Sequence, residues 1–533
     1  MTSKQPDSTT GRRWGALSGV VAALVGLGVA ELAAGLLRVR VSPVLAVGEA
    51  VIEITPGALA ERAIAAVGRA DKPLLITGVL LGLLAVSALA GVLALRRHVV
   101  GSLVLVSAAG VAAAAAATRP AASPYDMVPA LLAGAASVWV LALMLHRAPG
   151  RPVIPVPPAG VVSPVTAATP PAKTATPATT VTDRRRFLRT AAGAVGVAGA
   201  LSIAGRWTTA ARSGVEQARH ALTLRLAPTQ VPSGVEAGLA GIAPWLTPDG
   251  DFYRIDTALA VPLVRPAAWR LRIHGMVERE LVLSYDDLLA RGLVDTWTTL
   301  CCVSNPVGGD LVSNTRWSGA RIDDLLAEVG VSPDADALLS TSKDGWTCGT
   351  PLAELTDGRD AVLAVGMNGE PLPLEHGFPV RMVVPGLYGF VSATKWVTDW
   401  EVTRFDRFSA YWTDRGWSAY GPVKTQSRID VPDDRSSVST GRVGVGGIAF
   451  AQHRGIERVE VRVDDGDWAP ARLASVPSTD TWVQWSYDWD ADPGEHRLAV
   501  RATDADGVTQ SGAEVGTVPD GAEGWHTITV QAG

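Results

Sequence analysis

Residues 298–309 read TTLCCVSNPVGG, and the adjacent Cys301 and Cys302 are two of only three cysteines in 533 residues. Adjacent cysteines rarely bridge each other, because a disulfide needs separated Cα atoms and side chains aimed at one another. Three cysteines cannot build a disulfide framework. The pair is open to other chemistry, and in an extended segment its two side chains face opposite ways. Other residues able to do chemistry are Arg254 upstream and Asp344, Cys348, His376, Arg381 and Lys395 downstream. Singly, each has a plain structural reading. His376 alone reads as a satisfied core histidine, and Arg381 and Lys395 as solvated charges. Asp344 precedes Gly345 and reads as a turn residue. Cys348 reads as a small buried apolar group.

Taken jointly, in order and spacing, these segments resemble the sulfite oxidase family of molybdopterin-dependent oxidoreductases. TLCCVSN (299–305) is similar to the family's L-x-C-x-x-N segment, and LPLEHGFPVRMVVPGLYGFVSATKW (372–396) to its HGxPxR…PG…KW segment. WSGARIDDLL (317–326), SKDGWTCGTP (342–351) and FYRID (252–256) match further segments, with Ile322 where leucine is usual. Alignment on Leu300 and Asn305 implies Cys302 as the molybdenum ligand, with Cys301 turned into the core. A thiolate suits such a metal. The resemblance also implies Ser304, Asp344, His376, Arg381, Thr394 and Lys395 as molybdopterin contacts. It implies Arg254 beside the metal, as a catalytic residue with Cys302.

Two departures bear on the reaction. The family's A-Y-E-M-N-G segment reads Ala364-Val365-Gly366-Met367-Asn368-Gly369 here, so a phenol is lost at Val365. The family's arginine pair after C-x-x-N is replaced by Pro306-Val307, while Arg254 is kept. Arg454 or His453, in GIAFAQHRG, offers a substitute positive group. The implied reaction is oxygen-atom transfer on a small oxyanion or sulfur compound. No CxxCH is present, so the electrons pass to a separate carrier, a cytochrome or a quinone-linked protein. The alternatives are a sulfoxide-reductase-type activity on the same fold and a cofactor-free membrane binding or sensor module.

The elements around these residues divide the chain. Four apolar runs within 1–147, Trp14–Leu37, Leu74–Leu95, Val99–Ala117 and Met127–Leu145, are long enough to span a bilayer. Arg12–Arg13, Arg96–Arg97 and Arg147 with Arg151 then fall on one side, which fixes that side as cytoplasmic. A Pro/Thr/Ala linker over 148–182 cannot pack a core. DRRRFLRTAAGAVGVAGALSIAG (183–205) resembles a twin-arginine export signal, with Asp183 and Arg189 at variant positions; a fifth span is the alternative for 183–206. With four spans the chain returns to the cytoplasm before this segment, so the expectation is a multi-pass cell-membrane protein in contact with lipid, its catalytic half extracytoplasmic.

A connector over 207–244 carries no legible chemistry. Residues 245–415 mix short strands (269–277, 378–386) with short helices (285–291, 322–330) and predict an α+β domain. Over 416–533, RVEVRV (458–463), WVQWSYDW (482–489), HRLAVRATD (496–504) and WHTITV (525–530) alternate without helical periodicity, and DDGDW supplies a hairpin turn. This predicts an immunoglobulin-like β-sandwich, for which the resemblance implies homodimerisation. A net charge of −5 gives no electrostatic case for nucleic acid.

Overall fold

The computed structural model describes residues 8–533 apart from 38, 40–41, 57–69, 120–121, 148–179, 206–208, 223 and 225. The linker predicted over 148–182 therefore lies outside the described residues, except for its last three. The chain divides into two units, Met1–Ala211 and Arg212–Gly533.

The first unit is helical: α1 (Ser8–Leu37), α2 (Pro43–Ile54), α3 (Asp71–Arg96), α4 (His98–Ala117), α5 (Val128–His146) and α6 (Thr180–Gly205). Among the described residues, four helical segments are long and apolar enough to cross a membrane, namely Gly11–Leu37, Asp71–Arg96, His98–Ala117 and Pro124–His146. They coincide with the four predicted runs. Glycines let α1 and α3 approach closely, since a Cβ on Gly19 would lie 1.8 Å from the Ser87 carbonyl oxygen. The arginine-rich segment forms α6, which packs on α1. Phe187 is fully buried, with its ring 4.9 Å from that of Trp14. Arg147 at the end of α5 donates to the Thr190 hydroxyl (2.9 Å). The helix α2 lies in the chain between the first two of the four apolar segments.

Helix α7 (Thr209–Ala221), most of which belongs to the second unit, falls in the stretch expected to be a connector. Its Arg219 is buried and donates to the carbonyls of Pro371 and Leu372 (both 2.8 Å), tying the helix to the chain just before His376. Ten strands follow: β1 (Arg270–Gly275), β2 (Leu281–Ser284), β3 (Val294–Cys301), β4 (Val312–Arg321), β5 (Ala337–Ser342), β6 (Thr347–Pro351), β7 (Val362–Met367), β8 (Glu370–Pro371), β9 (Arg381–Val383) and β10 (Val397–Thr403). They form two sheets, ordered β2-β1-β10-β5-β6 and β3-β4-β7-β8, with β9 also on β7. The short helices α8 (Tyr285–Ala290), α9 (Ile322–Val329) and α10 (Ala353–Thr356) fall between strands. Ser284 and Asp287 cap α8 reciprocally, and Gly330 ends α9 in the left-handed region at φ 69°. This is the α+β arrangement expected.

The last nine strands are β11 (Gln426–Val431), β12 (Ser437–Val438), β13 (Gly441–Phe450), β14 (Ile456–Val463), β15 (Ala469–Pro470), β16 (Arg472–Leu473), β17 (Val483–Ala491), β18 (Gly494–Asp504) and β19 (His526–Ala532). They make sheets ordered β11-β13-β17-β16 and β12-β19-β18-β14-β15, which share one apolar core around Val445, Val461, Trp485, Leu498 and Val530. The DDGDW turn does join a hairpin, β14 to β15. The core of the preceding region continues into these strands, taking in Ile448, Phe450 and Trp482.

Candidate molybdopterin site

The site is built where β3 ends. Cys301 is the last residue of that strand; it is fully buried and belongs to the apolar core. Cys302 is the next residue, its amide donating to the Leu311 carbonyl (2.9 Å), and its thiol faces a cavity. The two side chains therefore part as an extended segment requires. The loop from 302 to 311 is closed by Asn305, which accepts from the Leu311 amide (2.9 Å). The Cys302 sulfur lies 3.1 Å from the Ser304 hydroxyl.

The cavity holds about 830 Å³ of empty space, its open mouth included. Its wall gathers Cys302, Ser304, Asp344, His376, Arg381 and Lys395 from five separate stretches of chain. Asp344 sits in the β5–β6 turn, where its carboxylate accepts from the Trp346 amide (3.3 Å), so the turn role and the wall role coexist. His376 ends a short 3-10 turn. Gly377 follows at φ 110°, and a Cβ there would stand 2.9 Å from that of Arg381 and 3.3 Å from the Lys395 backbone. Only glycine brings these three functional residues so close together.

Two predicted residues are placed off the wall. Thr394 is fully buried behind it, its hydroxyl accepting from Ser340 (2.8 Å). Arg254 adjoins the wall without lining it, its guanidinium held on the wall residue Asp256 (2.8 Å). Arg454 and His453 are off the wall as well. Arg454 pairs with Asp504 (3.0 Å) and His453 lies 3.3 Å from Asp480. Val365 is fully buried in the apolar core, so the position of the lost phenol does not border the cavity.

Sequence reasoning missed Asp256 and Tyr253, both on the wall. One Asp256 oxygen accepts from both Arg254 (2.8 Å) and Lys395 (2.9 Å). The signal was available: an acidic residue two positions after Arg254 in FYRID is free to fold back onto it.

The wall is electrostatically unusual. Burial pushes the Lys395 ammonium down to about 8, with Asp256 opposing the shift. Burial and the Lys395 and Arg381 charges push His376 down to about 3, so its imidazole is neutral at physiological pH. Burial lowers Arg381 to about 10. Among the described residues its guanidinium donates only to carbonyls, those of Met382 (3.3 Å), His376 (3.2 Å) and Ala393 (3.5 Å), and lies 4.8 Å from the centre of the Trp317 ring. A buried cation with no carboxylate partner favours an anionic occupant. Burial raises the Cys302 thiol, while Ser304 and the Lys395 charge oppose the rise; coordination to a metal would deprotonate it outright.

The chemistry of these donors fits a molybdenum–pterin cofactor. Among the described residues no three His, Cys, Asp or Glu side chains converge on a metal position. A metal here would take one protein thiolate, Cys302, and its remaining ligands from the organic part. Arg381 and Lys395 would hold the phosphate of that part, and Asp344 and His376 its polar edge.

This fold and wall define a molybdopterin-binding oxidoreductase domain. The family model described as "Oxidoreductase molybdopterin binding domain" matches residues 258–412. Mitochondrial sulfite oxidase of Mus musculus is 32% identical over 272 residues, covering 43% of this chain and 49% of that protein. The uncharacterized oxidoreductase YuiH of Bacillus subtilis is 32% identical over 153 residues, 29% of this chain and 74% of its own length. The sulfane dehydrogenase SoxCD from Paracoccus pantotrophus is a solved structure with 24% identity and a TM-score of 0.47, covering 58% of this chain and 87% of that chain. The chain belongs to the sulfite oxidase family of molybdopterin oxidoreductases. It spans about half the length of the mitochondrial relatives it matches.

Proposed function

We propose that the protein is a membrane-anchored oxidoreductase that transfers an oxygen atom to or from a small sulfur compound or oxyanion. The observation that carries this is the wall itself: the Cys302 thiol opens into a cavity shared with the buried cations Arg381 and Lys395. When bound, the cofactor supplies two-electron oxygen-atom exchange with the substrate. The protein holds the cofactor through Cys302 and the two cations, and His376 stays neutral beside them. Aromatic side chains of Trp412, Trp417 and Phe390 line the same cavity, and an apolar lining strengthens the polar contacts inside.

Sulfite is the substrate suggested by the relatives. A neutral sulfoxide is a second reading, favoured by one observation: Arg254 is paired with Asp256 and Arg454 with Asp504, so neither guanidinium is free to meet a dianion. The four apolar helices support a membrane anchor. The flanking arginines and the twin-arginine-like segment support an extracytoplasmic catalytic unit, with electrons leaving to a separate cytochrome or quinone-linked carrier. An immunoglobulin-like character for the last two sheets, and homodimerisation through them, belong to the same reading.

The test is molybdenum per protein after expression in a host that makes the cofactor, followed by turnover of sulfite and of dimethyl sulfoxide. Near-stoichiometric metal with turnover of either is expected. Well-folded, metal-free protein from a host that loads a control enzyme would replace this reading with a cofactor-free binding module.

A further inference from the structure

The cavity wall includes a phenol, Tyr253, to which no role has yet been given. Tyr253 borders the cavity, and its hydroxyl has no hydrogen-bond partner among the described residues. The ring is fixed: its amide donates to the Ser313 hydroxyl of β4 (3.1 Å), and it stacks on Phe252 with 5.3 Å between centroids and 18° between planes. Phe252 in turn packs edge-on against His376 (5.3 Å) and Trp317 (5.6 Å). The hydroxyl comes within 3.4 Å of where a Cβ would stand on Gly389, itself on the wall. The charges that act on it are those of Cys302, Cys301 and Arg381.

Several other polar groups of the wall are engaged, although the Ser342 hydroxyl, like that of Tyr253, has no partner among the described residues. Lys395 is on Asp256, Arg381 on carbonyls, Asp344 on the Trp346 amide, and Ser304 on the Cys302 sulfur. A phenol held rigidly on the wall that carries the ligand thiol, with no protein partner for its hydroxyl, offers a directed donor to an oxygen acceptor bound in the cavity.

We propose that Tyr253 is the hydrogen-bond donor to the oxygen of a substrate bound beside Cys302, and so a specificity-determining residue of this site. The proposal rests on the oxidoreductase reading above. It favours substrates whose oxygen accepts one directed hydrogen bond over those that need several cations.

The test uses cofactor-loaded full-length protein, wild type and Tyr253→Phe, with sulfite, sulfate and dimethyl sulfoxide as calorimetric probes. Removing the hydroxyl should leave the molybdenum content and Tm unchanged, because the group has no protein partner to lose. The probe that binds the wild type best should bind the variant about tenfold more weakly, the scale of one hydrogen bond. Gly389→Ala, whose methyl would lie 3.4 Å from the hydroxyl, should weaken the same probe by less. Equal affinities for wild type and Tyr253→Phe would overturn the proposal, as would loaded wild type that binds none of the three probes. Wild type that purifies without molybdenum overturns the oxidoreductase reading itself, and the proposal with it.

Discussion

Strands β4 and β14 solve the same packing problem differently. β14, IERVEVRV, buries Val459 and Val461 and leaves intervening residues partly exposed, as a strand with one wet face does. In β4, VSNTRWSGAR, the first nine residues are all buried, although five of them are polar. Each of the five has a partner. Ser313 accepts from Tyr253, Asn314 joins Thr299 and the Trp245 carbonyl, and Thr315 bonds Asn368. Arg316 and Ser318 share Asp295. A strand buried on both faces normally reads as a continuous apolar run. Here hydrogen bonds replace part of that apolar surface, and they lie under the cavity. The later sheets stabilise by apolar burial; the sheet beneath the site positions groups by directed bonds.

The largest way to sharpen that contrast is Cys302→Ser. The serine is nearly isosteric, and Cys302 sits at a strand end rather than in the core, so Tm should stay close to wild type. Turnover should be lost altogether, because a neutral hydroxyl does not replace a thiolate on a soft metal. Activity assays beside thermal unfolding decide it; wild-type-like turnover would remove Cys302 from the ligand role.

Next in size is Leu498→Ala in the later sheets. Leu498 is fully buried between the two sheets. Its truncation should cost about 2–5 kcal/mol, the usual range for opening a cavity in a packed core. Turnover per bound molybdenum should not change. Denaturant unfolding measures the first and metal-normalised kinetics the second. A large fall in metal-normalised turnover would show that the two regions are not separable in this way.

The same contrast explains what the sequence made legible. β14, β17, β18 and β19 were each anticipated within a few residues, because alternation is the direct trace of a half-buried strand. β4 left no such trace: its polar residues suggest exposure, and only the resemblance of 317–326 marked that stretch. The joint spacing of Cys302, Asp344, His376, Arg381 and Lys395 marked residues that the fold gathers on one cavity wall. Arg254 and Thr394 were carried over with them. The pairing of Arg254 with Asp256, and the turn of Thr394 toward Ser340, depend on side-chain geometry that spacing does not encode. The helix α7 was missed because its task is one buried arginine capturing two distant carbonyls. Tyr253 was passed over because a phenol next to Arg254 reads as packing until its hydroxyl is found facing the cavity.

Thr299 offers the finest test, because it joins the two regions. Its hydroxyl donates to Asn314 Oδ1 (2.9 Å) within the β3–β4 pair and accepts from the Trp482 amide (2.8 Å) in the later region. Its backbone is held from the same side, the amide donating to the Asp480 carbonyl (2.9 Å) and the carbonyl accepting from Gln452 Nε2 (3.1 Å). Three residues on stands Cys302. Thr299→Val keeps shape and apolar volume but leaves the Trp482 amide and Asn314 Oδ1 without this partner in a buried place. The expected loss is about 1–3 kcal/mol, smaller than for Leu498→Ala. Unlike that variant, it should also lower metal-normalised turnover or molybdenum retention by about tenfold, as loss of support behind a metal ligand does. Stability that falls while retention and turnover stay at wild-type values would mean that the later sheets merely pack against β3. A fall in both would mean that they set the position of Cys302.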